Sequence, residues 1–151
     1  MIEIKSVAEM KDLIGQEIGT SDWLVIDQKR IDEFGRATGD EHWIHVDVER
    51  AKRELPEGKT IAHGFLTLSL ITPFAAQISP VLEHANIMNY GANKVRFTAP
   101  VRSGDRVRMK RSLLQFEDME KSMRLIFANT IEIEGSDRPA LYAETISIIF
   151  R

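Results

Sequence analysis

From His63 to Ser79 the chain is apolar nearly all round, through Phe65, Leu66, Leu68, Leu70, Ile71, Phe74, Ala75, Ala76 and Ile78. A helix of this composition has no polar side to offer water, so it is expected to be buried on every side. The stretch is too short to span a membrane and is interrupted by Thr67, Ser69, Thr72 and Pro73, so the cover has to come from protein. Pro73 has no amide hydrogen and crowds the carbonyl four residues earlier, which predicts a kink or break there. After Pro80 the hydrophobic period changes to two. Lys94–Phe97, Arg106–Met109, Leu125–Ala128 and Glu144–Ile148 read as strands, with Ser103-Gly104-Asp105 and Glu134-Gly135-Ser136-Asp137 as turns. One apolar helix and a set of long antiparallel strands have one economical arrangement, in which the sheet curls around the helix. That is an α+β architecture.

The first half supplies shorter pieces. Ser6 and Glu9 have the spacing of a capping box, which predicts a short helix ending at Gly15. Trp23–Ile26 is a β-rich run. Asp27 caps a second helix in which Ile31, Phe34 and Ala37 recur at helical spacing, and Gly39 ends it. Asp47 caps a third, carrying Val48, Ala51 and Leu55. No repeat or linker divides the 151 residues, so residues 1–151 are expected to form a single domain.

Composition narrows the function classes. A net charge of −3 is a poor footing for a nucleic-acid binder, and no nucleic-acid partner is expected. Lys94, Arg96, Arg102, Arg106, Arg108, Lys110 and Arg111 form a relative concentration of basic residues. It reads either as a solvated sheet face or as a rim that attracts an anionic ligand such as a CoA phosphate. There is no cysteine, hence no disulfide, no thiol nucleophile and no cysteine-ligated metal. The first residues carry Glu3, Lys5, Glu9 and Lys11 and lack the apolar run of a signal peptide. A soluble, cytoplasmic protein without a membrane partner is the expectation.

Two segments can carry chemistry. In Phe34-Gly-Arg-Ala-Thr-Gly-Asp40-Glu-His-Trp-Ile-His45, an acid follows a helix stop and an imidazole follows five residues later. On one continuous helix the two would lie about 140° apart. On a loop they can converge on a single water, one acting as base while the other delivers a proton. The alternative is a capping Asp and a surface His. In Thr60-Ile-Ala-His63-Gly64, the glycine opens the apolar helix, where backbone amides lack partners and a ligand carbonyl can approach closely. That is one way to build an oxyanion hole. The alternative is a glycine required by helix–sheet packing. Ser69, five residues on, has the alternative of bonding its own helix backbone.

These segments resemble the MaoC-like dehydratase family, also called hydratase 2, and within it the branch of nodulation-type and mycobacterial MaoC-like proteins. Phe34, Ala37, Thr38, Gly39, Asp40, Ile44, His45 and Ala51 follow the family motif in order and spacing. Ala62-His63-Gly64 to Ser69 resembles its His-Gly segment, and Asn89 to Asp105 resembles its first long strand and turn. The resemblance implies a hot-dog fold, usually a homodimer, binding acyl thioesters of CoA or of a carrier protein. It implies catalytic roles for Asp40 and His45, a backbone oxyanion donor at Gly64 and a pocket serine at Ser69. The implied reaction is (R)-specific hydration of a trans-2-enoyl thioester, or its reverse, with no metal or other cofactor. One departure stands out: the usual Asn-Pro is His42-Trp43 here. Two rival readings share the ligand. A hot-dog thioesterase would place an acid on the central helix, yet 65–78 contains no Asp or Glu. A non-catalytic acyl-thioester-binding module would need the pocket but not Asp40 and His45.

Overall fold

The second half of the chain forms one antiparallel sheet, and its register explains the period-two pattern. A computed structural model describes residues 2–82 and 85–151. Its strands are β1 (Glu17–Thr20), β2 (Leu24–Val25), β3 (Asn86–Phe97), β4 (Arg106–Asp118), β5 (Ser122–Ile133) and β6 (Leu141–Phe150). They are ordered β1-β4-β5-β6-β3, and β2 pairs beside β1 on β4. Val107, Met109 and Leu113 on β4, Leu125, Phe127 and Ile131 on β5, and Leu141, Ala143 and Ile149 on β6 all face inward and are buried. Alternate positions face outward, as a pleated strand requires.

The inward face packs on Leu66, Leu70, Phe74 and Ile78, which share one side of the apolar segment at steps of four. The expected hot-dog arrangement, a sheet wrapped around a mostly apolar helix, is therefore what the chain adopts. That helix is two pieces, α4 (Gly64–Ser69) and α5 (Ile71–Ile78). The break falls at Leu70, one turn before Pro73. The proline cannot donate to the carbonyl of Ser69, so the hydrogen-bond ladder fails there.

Three helices precede it: α1 (Gln28–Thr38), α2 (Trp43–Val46) and α3 (Val48–Glu54). Asp27 caps α1 by accepting from the Arg30 amide at 2.9 Å, and Asp47 caps α3 through the Arg50 amide at 2.9 Å. Gly39 ends α1 with φ 78°, the left-handed conformation that favours glycine, and its amide donates to the Gly35 carbonyl.

Several expectations require correction. Val7–Leu13 is a 3-10 helix whose Ser6 side chain caps nothing; Glu9 instead accepts from the Lys5 amide. The apolar helix is not covered all round: Phe65, Ser69, Thr72 and Pro73 form an exposed stripe, with Phe65 at 68%. Edge strand β3 flanks that stripe, with Phe97 packed on Phe65. The basic concentration is largely neutralised: Arg106 pairs with Glu134, Arg108 and Lys110 with Glu132, Lys94 with Glu144, and Arg102 with Glu57. Arg111 does not belong to that surface, because it points inward and is 3% exposed. Among the described residues no helix is long and apolar enough to cross a membrane.

Candidate active site

Asp40 and His45 converge because α1 ends abruptly. Gly39 turns the chain back and Asp40 follows on an exposed bend. Gly35 lets that bend lie close, since a Cβ there would stand 3.1 Å from the Asp40 carbonyl oxygen. The chain then enters α2, a one-turn helix where the sequence pattern suggested only loop, and His45 sits on it. Trp43 is the first residue of α2, with the Arg50 guanidinium 3.8 Å over its ring. The family's proline would occupy this same first helical position, where a missing amide costs nothing. Trp43 therefore keeps the turn, and His42 beside it is exposed.

A third residue completes the cluster, and the sequence pattern did not single it out. His63, 3% exposed, donates from Nε2 to the Asp40 carbonyl oxygen at 2.8 Å. Its ring stacks on His45, with centroids 3.8 Å apart and planes at 26°, and packs on Phe34 at 5.0 Å. The available signal was its place in Ala-His-Gly, directly before Gly64.

One carboxylate oxygen of Asp40 and one ring nitrogen each of His45 and His63 lie within 4.8 Å of one another. Two groups at that separation can share one water, because two hydrogen bonds of ordinary length span it. The trio is a poor metal cage. Stacked imidazoles aim their in-plane lone pairs side by side rather than at a common ion, and His63 Nε2 is already engaged.

His45 is held in one tautomer. Its Nδ1 lies 2.5 Å from the Ile61 carbonyl, an acceptor, so Nδ1 carries the proton and Nε2 keeps its lone pair. Gln28, at the start of α1, braces this arrangement. Its Nε2 donates to the His45 carbonyl at 2.8 Å and to Asp32 Oδ1 at 2.8 Å, while its Oε1 accepts from the Thr60 hydroxyl. Partial burial holds the His45 pKa below the usual histidine value. The neighbouring His63 pushes the same way, against the Ile61 hydrogen bond and Asp40.

His45, Gly64, Thr67 and Phe97 line a cavity of about 400 Å³. Gly64 packs against Phe97 so closely that a Cβ would stand 3.1 Å from the ring, so packing alone already favours glycine here. Its amide donates to no carbonyl among the described residues. Ser69 lies elsewhere: it lines a separate, larger cavity and donates to the Leu66 carbonyl at 2.7 Å.

Known proteins share the sequence and the fold of this chain. Residues 9–133 match the family described as MaoC like domain. The chain is 45% identical over 147 residues to 3-hydroxyacyl-thioester dehydratase Z of Mycobacterium tuberculosis, covering 97% of each. It is 44% identical to nodulation protein N of Rhizobium leguminosarum bv. viciae, covering 95% of this chain and 91% of that protein. Its fold is that of the unliganded R-hydratase PhaJ1 from Pseudomonas aeruginosa, with a TM-score of 0.72 at 24% identity over 91% of this chain and 81% of the other.

Proposed function

Because this chain belongs to the MaoC-like domain family, we propose that it is a hydro-lyase of acyl thioesters, acting as a single hot-dog domain. It adds water across the double bond of a trans-2-enoyl thioester to give the (R)-3-hydroxyacyl thioester, or removes that water. The observation that carries this reading is the convergence of Asp40 and His45 beside a cavity that also contains Gly64. The Mycobacterium tuberculosis relative is a 3-hydroxyacyl-thioester dehydratase by name, which supports the same class of substrate.

In the hydration direction, the thioester carbonyl rests against the Gly64 amide. Neutral His45 takes a proton from the shared water at Nε2, and the water oxygen bonds to C3. The π electrons move toward the carbonyl, where the amide meets the growing negative charge; one such donor is worth roughly 100- to 1,000-fold in rate. The dyad then returns one proton to C2, so the elements of water are accounted for without any other reactant. Asp40 orients the water and shares in that proton return. His63 holds the Asp40 backbone, and Ile61 and Gln28 hold His45.

The thioesterase reading has little support, because neither α4 nor α5 carries a carboxylate. Crotonyl-CoA distinguishes the readings: a hydratase removes enoyl absorbance without releasing thiol, a thioesterase releases thiol, and a binding module does neither. Asp40→Asn should keep the fold and lose about 100- to 10,000-fold of the hydration rate. Near-intact hydration by that variant would refute the assigned dyad.

A homodimer is part of this proposal. β3 lies at the end of the sheet with one edge unpaired, and Ile87, Met88, Tyr90 and Phe97 on it are exposed. A long unpaired edge that exposes such side chains is a template for another strand. A second copy pairing β3 to β3 would also cover the bare stripe of α4 and α5.

A further inference from the structure

Arg111 is the only buried lysine or arginine among the described residues. It lies on β4 in phase with Val107, Met109 and Leu113, so the pleat turns it into the core. Its guanidinium lies 3.7 Å over the Phe127 ring, a contact that offsets only part of the lost hydration. Among the described residues no carboxylate pairs with it and no carbonyl or hydroxyl accepts from it, and its Nε is sealed without a partner. Burial pulls its pKa down to about 9, which still leaves it charged at neutral pH. A cation buried without a counter-charge is costly, so a ligand that brings one is favoured there.

Arg111 lines the larger cavity, of about 760 Å³, together with Thr145 and Ser147 of β6. The rest of that lining is mostly apolar. This cavity is separate from that of the candidate active site, but it borders the same two elements, the α4–α5 segment and β3. On the helix, Gly64 lines the site cavity and Leu68, one turn on, lines the larger one. On β3, Phe97 lines the first and Ala92 the second. A chain that passes from a thioester at Gly64 along these elements into the larger cavity would meet a buried positive charge. Asn129, opposite Arg111 on β5, keeps that floor rigid by donating to the Phe127 and Ala143 carbonyls and to Thr145 Oγ1.

We propose that the larger cavity takes an acyl chain ending in a carboxylate, and that Arg111 is the residue that pairs with that end. The planar guanidinium and a carboxylate match in charge and geometry, and the pair would neutralise the buried cation. The proposal rests on the hydro-lyase reading, since it assumes that the thioester end lies at His45.

The test compares trans-2-octenoyl-CoA carrying a terminal carboxylate with its methyl ester, on the wild type and on Arg111→Met, with crotonyl-CoA as the short reference. The wild type should favour the carboxylate by about tenfold or more in kcat/KM, equivalent to ~1.4 kcal/mol. Arg111→Met should lose that preference, and Arg111→Lys should retain part of it. Exchanging a buried unpaired charge for an apolar side chain of similar length favours folding, and a thermal melt verifies it. If crotonyl-CoA is hydrated but acid and ester are used alike, or the preference survives in Arg111→Met, the Arg111 assignment is overturned and the hydro-lyase reading stands. If no enoyl-CoA is hydrated, that reading fails. Calorimetry with free octanedioate then decides the cavity: binding by the wild type and not by Arg111→Met supports the proposal, and no binding overturns it. Weaker self-association of Arg111→Met with an unchanged chain-end preference would assign the counter-charge to a second copy and also overturn it.

Discussion

At the scale of single residues, the proposed mechanism depends on keeping one imidazole neutral. Burial and the adjacent His63 both hold the His45 pKa below the ordinary value near 6.5. The folded chain thus resists a proton that the unfolded chain accepts. Any stability this supplies is present above the ordinary value and is lost as the pH falls through it toward the folded one. The same sign applies to activity, because only unprotonated Nε2 can act as base. The acid limb of kcat/KM for crotonyl-CoA should therefore lie below pH 6.5. His63→Gln keeps a donor for the Asp40 carbonyl but removes the neighbouring ring, so it should move that limb upward; a pH–rate profile of the two proteins measures it. A downward shift would mean that His63 does not act on His45 through its charge. His63 was hard to see in the sequence because its contacts, to Phe34, Asp40 and His45, all lie far away along the chain.

At the scale of elements, the site is a set of chain ends brought together by tight contacts. The C-terminus of α1, the short α2 and the entry to α4 meet where Gly35 removes a side chain, and Gly64 lets Phe97 of β3 close on the start of α4. Gly35→Ala would place a Cβ 3.1 Å from the Asp40 carbonyl, a backbone atom that can yield only by moving the bend that carries the acid. Overpacking of this kind typically costs ~1–3 kcal/mol. The variant should melt earlier and lose hydration rate by more than its stability loss explains, which a melt alongside kcat at a temperature well below both transitions would show. The capping aspartates Asp27 and Asp47 were legible in advance, because a cap is a contact between residues three apart. The position of the helix break was less so: Pro73 marks the cause, while the ladder fails one turn earlier at Leu70.

For the whole molecule, the unfinished feature is the face formed by β3, α4 and α5. Edge residues Ile87, Met88 and Tyr90 are exposed beside Phe65, Ser69 and Thr72. Sedimentation at micromolar concentration should therefore report a dimer, and Tyr90→Lys, which places a charge on the pairing edge, should shift it toward monomer. A wild-type protein that sediments as a monomer would remove the β3 pairing. The larger cavity opens on the same face, so its size and Arg111's surroundings bear on both substrate and assembly.

The sequence by itself determined what depends on short-range periodicity and on residue order. The two-residue pattern after Pro80 specified an antiparallel sheet, the apolar run specified what it wraps, and the Gly-Asp to His segment, through its resemblance to a known family, pointed to the pair that meets. Tertiary structure alone decided which groups lack partners. Arg111 reads as one more member of a basic surface run until the register of β4 against β5 sets it on the inner face. His63 reads as a helix-opening residue until the fold stacks it on His45. Both follow from long-range packing, which sets burial and hence the electrostatics of a charge or a ring, and no local pattern encodes it.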